Sequence, residues 1–296
     1  MFEGSFVALI TPFTADGAVD AASLRKLVNW HIEQGSHGLV PVGTTGESPV
    51  LSAEEHFQVL ELVVEECNGR LPVIAGCGSN NTREALHFHK HAREIGADAA
   101  LHVTGYYNRP NQEGIFRHFE ALNEANDLPI VVYNIPPRTT VDISVDTMIR
   151  LAQLPAVIGV KDATQDLARP WLEQLGIDKP FCYFSGEDAT AVAYNASGGN
   201  GCISVTANVA PALCAKVQNA CQQGDYRLAR DLQLQLMPLH MALFIEPSPA
   251  GIKYACSRLG LCEPATRLPL VPLQPSTISR IDAAMDAVGL APAVMQ

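Results

Sequence analysis

One alternation constrains this chain more than any other feature: a short apolar run followed by a longer stretch of helical pattern, repeated eight times. The runs are SFVALI (5–10), HGLVPVG (37–43), PVIAG (72–76), DAALHVT (98–104), PIVVYN (129–134), AVIGVK (156–161), FCYFSG (181–186) and GCISV (201–205). Helical patterns lie at 20–34, 52–67, 81–95, 111–125, 144–153, 165–175, 187–196 and 210–222. Asp20, Ser52 (with Glu55 three residues on) and Ser144 stand where helix N-caps belong. The runs are near-continuous rather than alternating, as in strands of a parallel sheet buried on both faces. Eight such units predict an α/β fold, a (β/α)8 TIM barrel over residues 1–224. Residues 225–296 hold three further helical stretches and no clear strand, and read as a C-terminal helical appendage packed on the barrel. An open doubly wound sheet ranks behind, because no strand runs into a G-x-G-x-x-G turn.

Charge narrows the partners. Lys plus Arg is 20 and Asp plus Glu is 31, a formal charge of −11 with no basic cluster. Such a balance argues against nucleic acid or an anionic membrane surface, and leaves small anionic substrates open. No apolar stretch approaches the roughly 20 residues of a membrane span. The opening MFEGSFVALITPF has neither a basic n-region nor a cleavage site, so it reads as a first strand. The eight cysteines form no C-x-x-C pair and sit among apolar neighbours, the pattern of buried free thiols in a reducing cytoplasm.

The sixth run ends on a charge. In PAVIGVKDAT, Lys161 follows three buried-type aliphatics, and the chain has only six lysines, at 26, 90, 161, 179, 216 and 253. A buried ammonium without a partner is costly, and such lysines respond by losing the proton. Active sites of barrels lie at the C-terminal strand ends. A neutral amine there can attack a carbonyl and form a Schiff base. The bland alternative is a lysine whose tip reaches solvent or pairs with Asp162. Tyr107 and Tyr133, at neighbouring strand ends, could move the protons that imine chemistry needs. GTTGES (43–48) ends in no G-K-[ST], so it is not a P-loop; Thr44 and Thr45 could cradle a small carboxylate. Arg138, behind two prolines, is a second candidate carboxylate ligand. His87, His89 and His91 in HFHKH are two apart on a helical pattern and cannot share a face, so no metal is expected.

GTTGES, YYNRP, YNIPPRT, IGVKDAT, SGEDA and GGNGCISVTANVAP together resemble the dihydrodipicolinate synthase family, within the N-acetylneuraminate lyase superfamily of pyruvate-dependent class I aldolases. The likeness runs from GSFVALITPF to FIEPSPAGIKYA. The lysine strand and the G-x-T-G-E loop are superfamily-wide, whereas GTTGES with the arginine of YNIPPRT is typical of the synthase branch. The resemblance implies condensation of pyruvate with L-aspartate-4-semialdehyde to 4-hydroxy-tetrahydrodipicolinate, in lysine and diaminopimelate biosynthesis, without a cofactor. It implies Lys161 as the Schiff-base amine and Tyr133 as proton donor and acceptor, relayed through Thr44. Tyr107 would come from a neighbouring subunit of a homotetramer, and Thr45 would bind the pyruvate carboxylate. Arg138 would hold the semialdehyde carboxylate, and Gly186 and Ile203 would line the pyruvyl pocket. Ser48, His56, Asn80, Glu84 and Tyr106 match a feedback site for L-lysine. Pro49 and Ala53 depart from it, the latter where some inhibited members carry a histidine. The rival readings are another pyruvate aldolase or dehydratase acting on a sugar acid, and a non-catalytic binding barrel.

Overall fold

Each apolar run forms a strand in the computed structural model, which describes residues 1–125 and 127–290. The strands are β1 (Gly4–Ala8), β2 (Gly38–Val40), β3 (Ile74–Gly76), β4 (Ala99–Val103), β5 (Ile130–Asn134), β6 (Val157–Asp162), β7 (Cys182–Ser185) and β8 (Gly201–Ser204). Neighbours run β2-β1-β8-β7-β6-β5-β4-β3, every pair parallel. The seam from β2 to β3 is joined by the Leu39–Val73 bridge and by Leu39 N–H donating to the Pro72 carbonyl at 3.0 Å. The fold is a TIM barrel, as the alternation predicts. β2 is shorter than the expected 37–43 because Pro41 has no N–H for the ladder and Val42 turns left-handed, with φ of 55°.

The connecting helices are α1 (Ala21–Glu33), α2 (Ala53–Cys67), α3 (Thr82–Glu94), α4 (Gln112–Ala125), α5 (Pro136–Thr139), α6 (Val145–Ala152), α7 (Arg169–Gln174), α8 (Ala191–Ala196) and α9 (Pro211–Gln222). Asp20, Ser52 and Ser144 cap α1, α2 and α6, and Ser52 with Glu55 forms the full capping box. Three helices differ from expectation, the stretch expected at 187–196 beginning as a 3-10 turn (Asp188–Thr190) before α8. YNIPPRT closes into the one-turn α5, started by Pro136. The stretch expected at 165–175 becomes helical only at Arg169, because Gln165 is left-handed and the Thr164 and Asp166 side chains cap a turn.

Beyond the barrel come α10 (Tyr226–Ala242), α11 (Ala250–Arg258) and α12 (Pro275–Ala287). Leu236, Leu239, Leu243, Ile252 and Ile281 join the same apolar cluster as Leu9, Leu39 and Ile203 of the barrel. The core therefore runs without a break past residue 224. A second cluster, including Phe119, Ile130, Met148 and Val157, packs α4 and α6 on the opposite side. All eight cysteines are free thiols, seven of them buried. Among the described residues no helix is long and apolar enough to cross a membrane.

Candidate active site

Period-two alternation sorts the ends of β5 and β6 into two faces. Tyr133 and Lys161 are register partners, as are Asn134 and Asp162 one position on. Tyr133 and Lys161 face a cavity at the strand ends, whereas Asn134 and Asp162 face the surrounding helices. There Asn134 donates to Asp142 Oδ1 at 2.8 Å, and Arg169 reaches both Asp142 oxygens at 3.1 Å and Asp162 at 3.8 Å. Asp162 also accepts the Thr164 N–H at 2.8 Å. Asp162 is thus engaged on the far side of the strand and is not the partner of Lys161. Beneath it, burial pushes the Glu173 carboxyl up to about 7, against the opposing pull of Arg169 at 3.4 Å.

The cavity holds about 200 Å³. Lys161, 5% exposed, enters it with Nζ 4.2 Å from the Tyr133 ring centroid and with no carboxylate ion-pair partner among the described residues. Gly186 makes room for the stem: a Cβ there would lie 3.2 Å from Lys161 Cε and 2.9 Å from the Ala163 Cβ. Thr44, Thr45 and Arg138 complete the polar wall. Arg138 is carried in by α5 and, among the described residues, has no ion-pair partner that would fix it as a surface salt bridge. A larger hollow of about 610 Å³ lies by Asp20, Lys26, Arg258 and Cys262 and contains none of these groups.

Two expected residues stand elsewhere. Tyr107 is 91% exposed, left-handed at φ of 66°, and outside the cavity. Ile203 is wholly buried on β8 opposite Phe6, and Val205 rather than Ile203 reaches the cavity wall. Several wall residues escaped the sequence reading. Glu187 and Gln165 are joined by a hydrogen bond of 3.3 Å, and Phe244 and Ser248 arrive from beyond α10. Phe244 and Ser248 lie in the FIEPSPAGIKYA stretch of the likeness, but only the tertiary fold brings them to the cavity.

The GTTGES loop is bracketed by two left-handed non-glycine residues, Val42 and Glu47, with φ of 55° and 56°. Such residues cost roughly 1–3 kcal/mol each and persist only when their surroundings over-determine them. Within the loop the Gly46 and Glu47 N–H groups donate to the Gly43 and Thr44 carbonyls, both at 3.1 Å, and Thr11 Oγ1 donates to the Gly46 carbonyl at 2.7 Å. Gly46 is confined, because a Cβ there would stand 2.9 Å from the Val42 nitrogen. Glu47 is itself buried against Lys253, at 2.5 Å.

The second residue group is partly assembled. Asn80 Nδ2 donates to the Tyr106 carbonyl at 3.2 Å, and Glu84 accepts from Ser79 Oγ at 2.5 Å. His56 is buried, stacked on Phe88, and donates from Nε2 to the Gly76 carbonyl at 2.9 Å. Burial lowers its pKa to about 4, so the ring is neutral and Nδ1 is a buried acceptor without a hydrogen-bond partner. Ser48 lies on the turn after GTTGE, and its hydrogen bonds do not reach this cluster. The HFHKH histidines diverge: His89 meets His102 at 3.1 Å, His91 meets Glu61 at 3.3 Å, and His87 packs on Phe57.

Fold and site together define a class, the aldolase-type barrels that act on carbonyl substrates through a strand-end lysine. Within that class the chain belongs to the Dihydrodipicolinate synthetase family, whose sequence model matches residues 1–288. It is 59% identical over 290 residues to the 4-hydroxy-tetrahydrodipicolinate synthase of Parvibaculum lavamentivorans, covering 98% of this chain and 99% of that protein. The structure of the chloride-inhibited dihydrodipicolinate synthase from Acinetobacter baumannii complexed with pyruvate is 44% identical, with a TM-score of 0.96 over 98% of this chain and 100% of that one. The Cyanidioschyzon merolae enzyme with lysine bound is 34% identical, with a TM-score of 0.94 over 98% and 99%.

Proposed function

We propose that this chain condenses pyruvate with L-aspartate-4-semialdehyde, giving 4-hydroxy-tetrahydrodipicolinate for lysine and diaminopimelate biosynthesis. The observation that carries the reading is Lys161, open to a small cavity of mixed polar and apolar walls beside Tyr133 and with no carboxylate at ion-pair distance among the described residues. The amine adds to the pyruvate ketone and water leaves, giving a protonated imine. Loss of a methyl proton gives an enamine, the imine nitrogen taking up the electron pair. That carbon attacks the aldehyde of the semialdehyde. The substrate amine then adds to the imine carbon, and the C–N bond to Lys161 breaks as the ring closes. The electron sink is thus made from substrate and Lys161, and the chemistry calls for no cofactor.

In this reading Thr44 and Thr45 hold the pyruvate carboxylate, and Tyr133 moves protons through the Thr44 hydroxyl. Gly186 and Ile203 shape the pyruvyl pocket, Ile203 by supporting the wall from within the core. Arg138, free of a carboxylate partner, takes the carboxylate of the second substrate. Tyr107 completes the proton relay of a neighbouring copy in a homotetramer. Its exposure and left-handed backbone support that role, as do the exposed Trp171 and Leu172 of α7 and Leu175 just after it. Eight free thiols support a reducing cytoplasm. L-lysine would bind at Ser48, His56, Asn80, Glu84 and Tyr106, with the His56 acceptor and the Glu84 carboxylate receiving its ammonium groups.

The test is a coupled assay with pyruvate and aspartate semialdehyde, followed by reduction of the product. Turnover with the semialdehyde far above turnover with sugar-acid aldehydes is expected. The reverse order would assign the chain to the sugar-acid branch, and no turnover with either would make it a binding barrel.

A further inference from the structure

Lys253 is wholly buried and lies outside the catalytic cavity. Its nitrogen is 2.5 Å from Glu47 Oε1, donates to the Ala265 carbonyl at 2.8 Å, and sits 3.8 Å from the Phe13 ring centroid. The other Glu47 oxygen accepts the Arg267 backbone N–H at 3.1 Å. The Arg267 guanidinium lies over Phe13 at 4.3 Å and donates to the Val50 carbonyl at 2.8 Å, the Gly17 carbonyl at 2.7 Å and the Glu55 carboxylate. Two cations from the C-terminal region therefore flank the Phe13 ring, and Glu47 at the end of GTTGE is held by the Lys253 ammonium and by the Arg267 backbone N–H. Glu47 needs such a hold, because its left-handed backbone is not self-sustaining for a side chain of its size. Its N–H closes the turn on the Thr44 carbonyl, which ties the Glu47 backbone to the Thr44–Thr45 turn.

We propose that Lys253 and Arg267 are positioning residues: Lys253 holds Glu47 directly, and the Arg267 side chain, bound to Gly17, Val50 and Glu55, fixes the segment whose backbone N–H holds it, so that together they keep the Thr44–Thr45 turn in the shape that receives the pyruvate carboxylate. This rests on the reading of that turn as the pyruvate cradle. Lys253 plays no covalent part, since its nitrogen is saturated by Glu47, Ala265 and the Phe13 face. The network acts on the first substrate alone, because Arg138 reaches the cavity on α5 and shares no contact with it.

The test compares the native enzyme with Thr45→Ala, Lys253→Met, Arg267→Ala and the double variant Glu47→Gln/Lys253→Met. The double variant leaves no unpaired buried charge and keeps the experiment informative where Lys253→Met alone does not fold. Loss of the hold should raise the pyruvate KM about tenfold or more in the double variant, with the semialdehyde KM within about twofold of native. Arg267→Ala should give a smaller rise in the same direction. A folded double variant with an unchanged pyruvate KM, or with both KM values rising together, would overturn the proposal. If Thr45→Ala leaves the pyruvate KM unchanged, it is the cradle reading that fails, and the proposal falls with it.

Discussion

Lys161 and Tyr133 face each other in register across two strands, with the lysine nitrogen 4.2 Å from the centre of the tyrosine ring. The ring face and the gap left by Gly186 aim the amine into the cavity, while Asp162 is held on the other side by Thr164 and Arg169. Borohydride reduction in the presence of pyruvate should therefore inactivate the enzyme and add one pyruvyl-derived mass to the peptide carrying Lys161. Lys253 is the internal control, being buried and bound to Glu47. Mass added at Lys253, or at neither lysine, would remove the Schiff-base assignment.

Arg138 should separate the two substrates. Its guanidinium is available to the cavity, and a charge-assisted hydrogen bond to a carboxylate is worth about 1.5–3 kcal/mol, or roughly ten- to a hundredfold. Arg138→Ala should lower kcat/KM for the semialdehyde by that factor and leave pyruvate trapping at Lys161 near native. Equal loss in both measurements would mean that the arginine only supports the loop.

Glu173 gives a stability that depends on pH. Its folded pKa of about 7 lies above the ordinary 4.5, so the folded state binds the proton more tightly. The contribution is whole below pH 4.5, declines as the pH rises through this window, and is lost above about 7. Glu173→Gln should flatten that decline and stabilise the protein at pH 8 by about 1–3 kcal/mol. Urea midpoints at pH 5 and pH 8 would show it. A variant equally weakened at both pH values would mark Glu173 as an ionised partner of Arg169 instead.

Feedback by L-lysine should be present but weak. In the proposed site Glu84 and the buried Nδ1 acceptor of His56 would receive ammonium groups, and Ala53 stands where some inhibited members carry a histidine. A neutral hydrogen bond contributes about 0.5–1.5 kcal/mol, so Ala53→His should tighten inhibition a few-fold to about tenfold. Glu84→Ala should abolish it. Native activity indifferent to millimolar lysine would leave these residues as packing alone.

The barrel was legible because its signals are local: apolar runs of strand length, capping residues at 20, 52 and 144, and a charge closing the sixth run. Thr44, Thr45, Tyr133, Arg138 and Lys161 could be gathered because a barrel brings strand ends together, whatever lies between them in sequence. What stayed hidden depends on contacts between distant segments. Nothing local to GTTGES marks Glu47 as the partner of Lys253, which lies far along the chain. The one-turn helix under Arg138 has no periodic pattern to mark it in the sequence, and its start rests on Pro136 alone.

Phe244 and Ser248 close the cavity from beyond the last strand, so the order of synthesis differs from the order of function. Lys161 and Tyr133 leave the ribosome well before the residues that wall them in. A nascent chain with all eight strands has Lys161 and Tyr133 in place but not the finished wall around them. Changes confined to the segment after α10 can reshape what the cavity admits while every strand-borne reacting group stays in place.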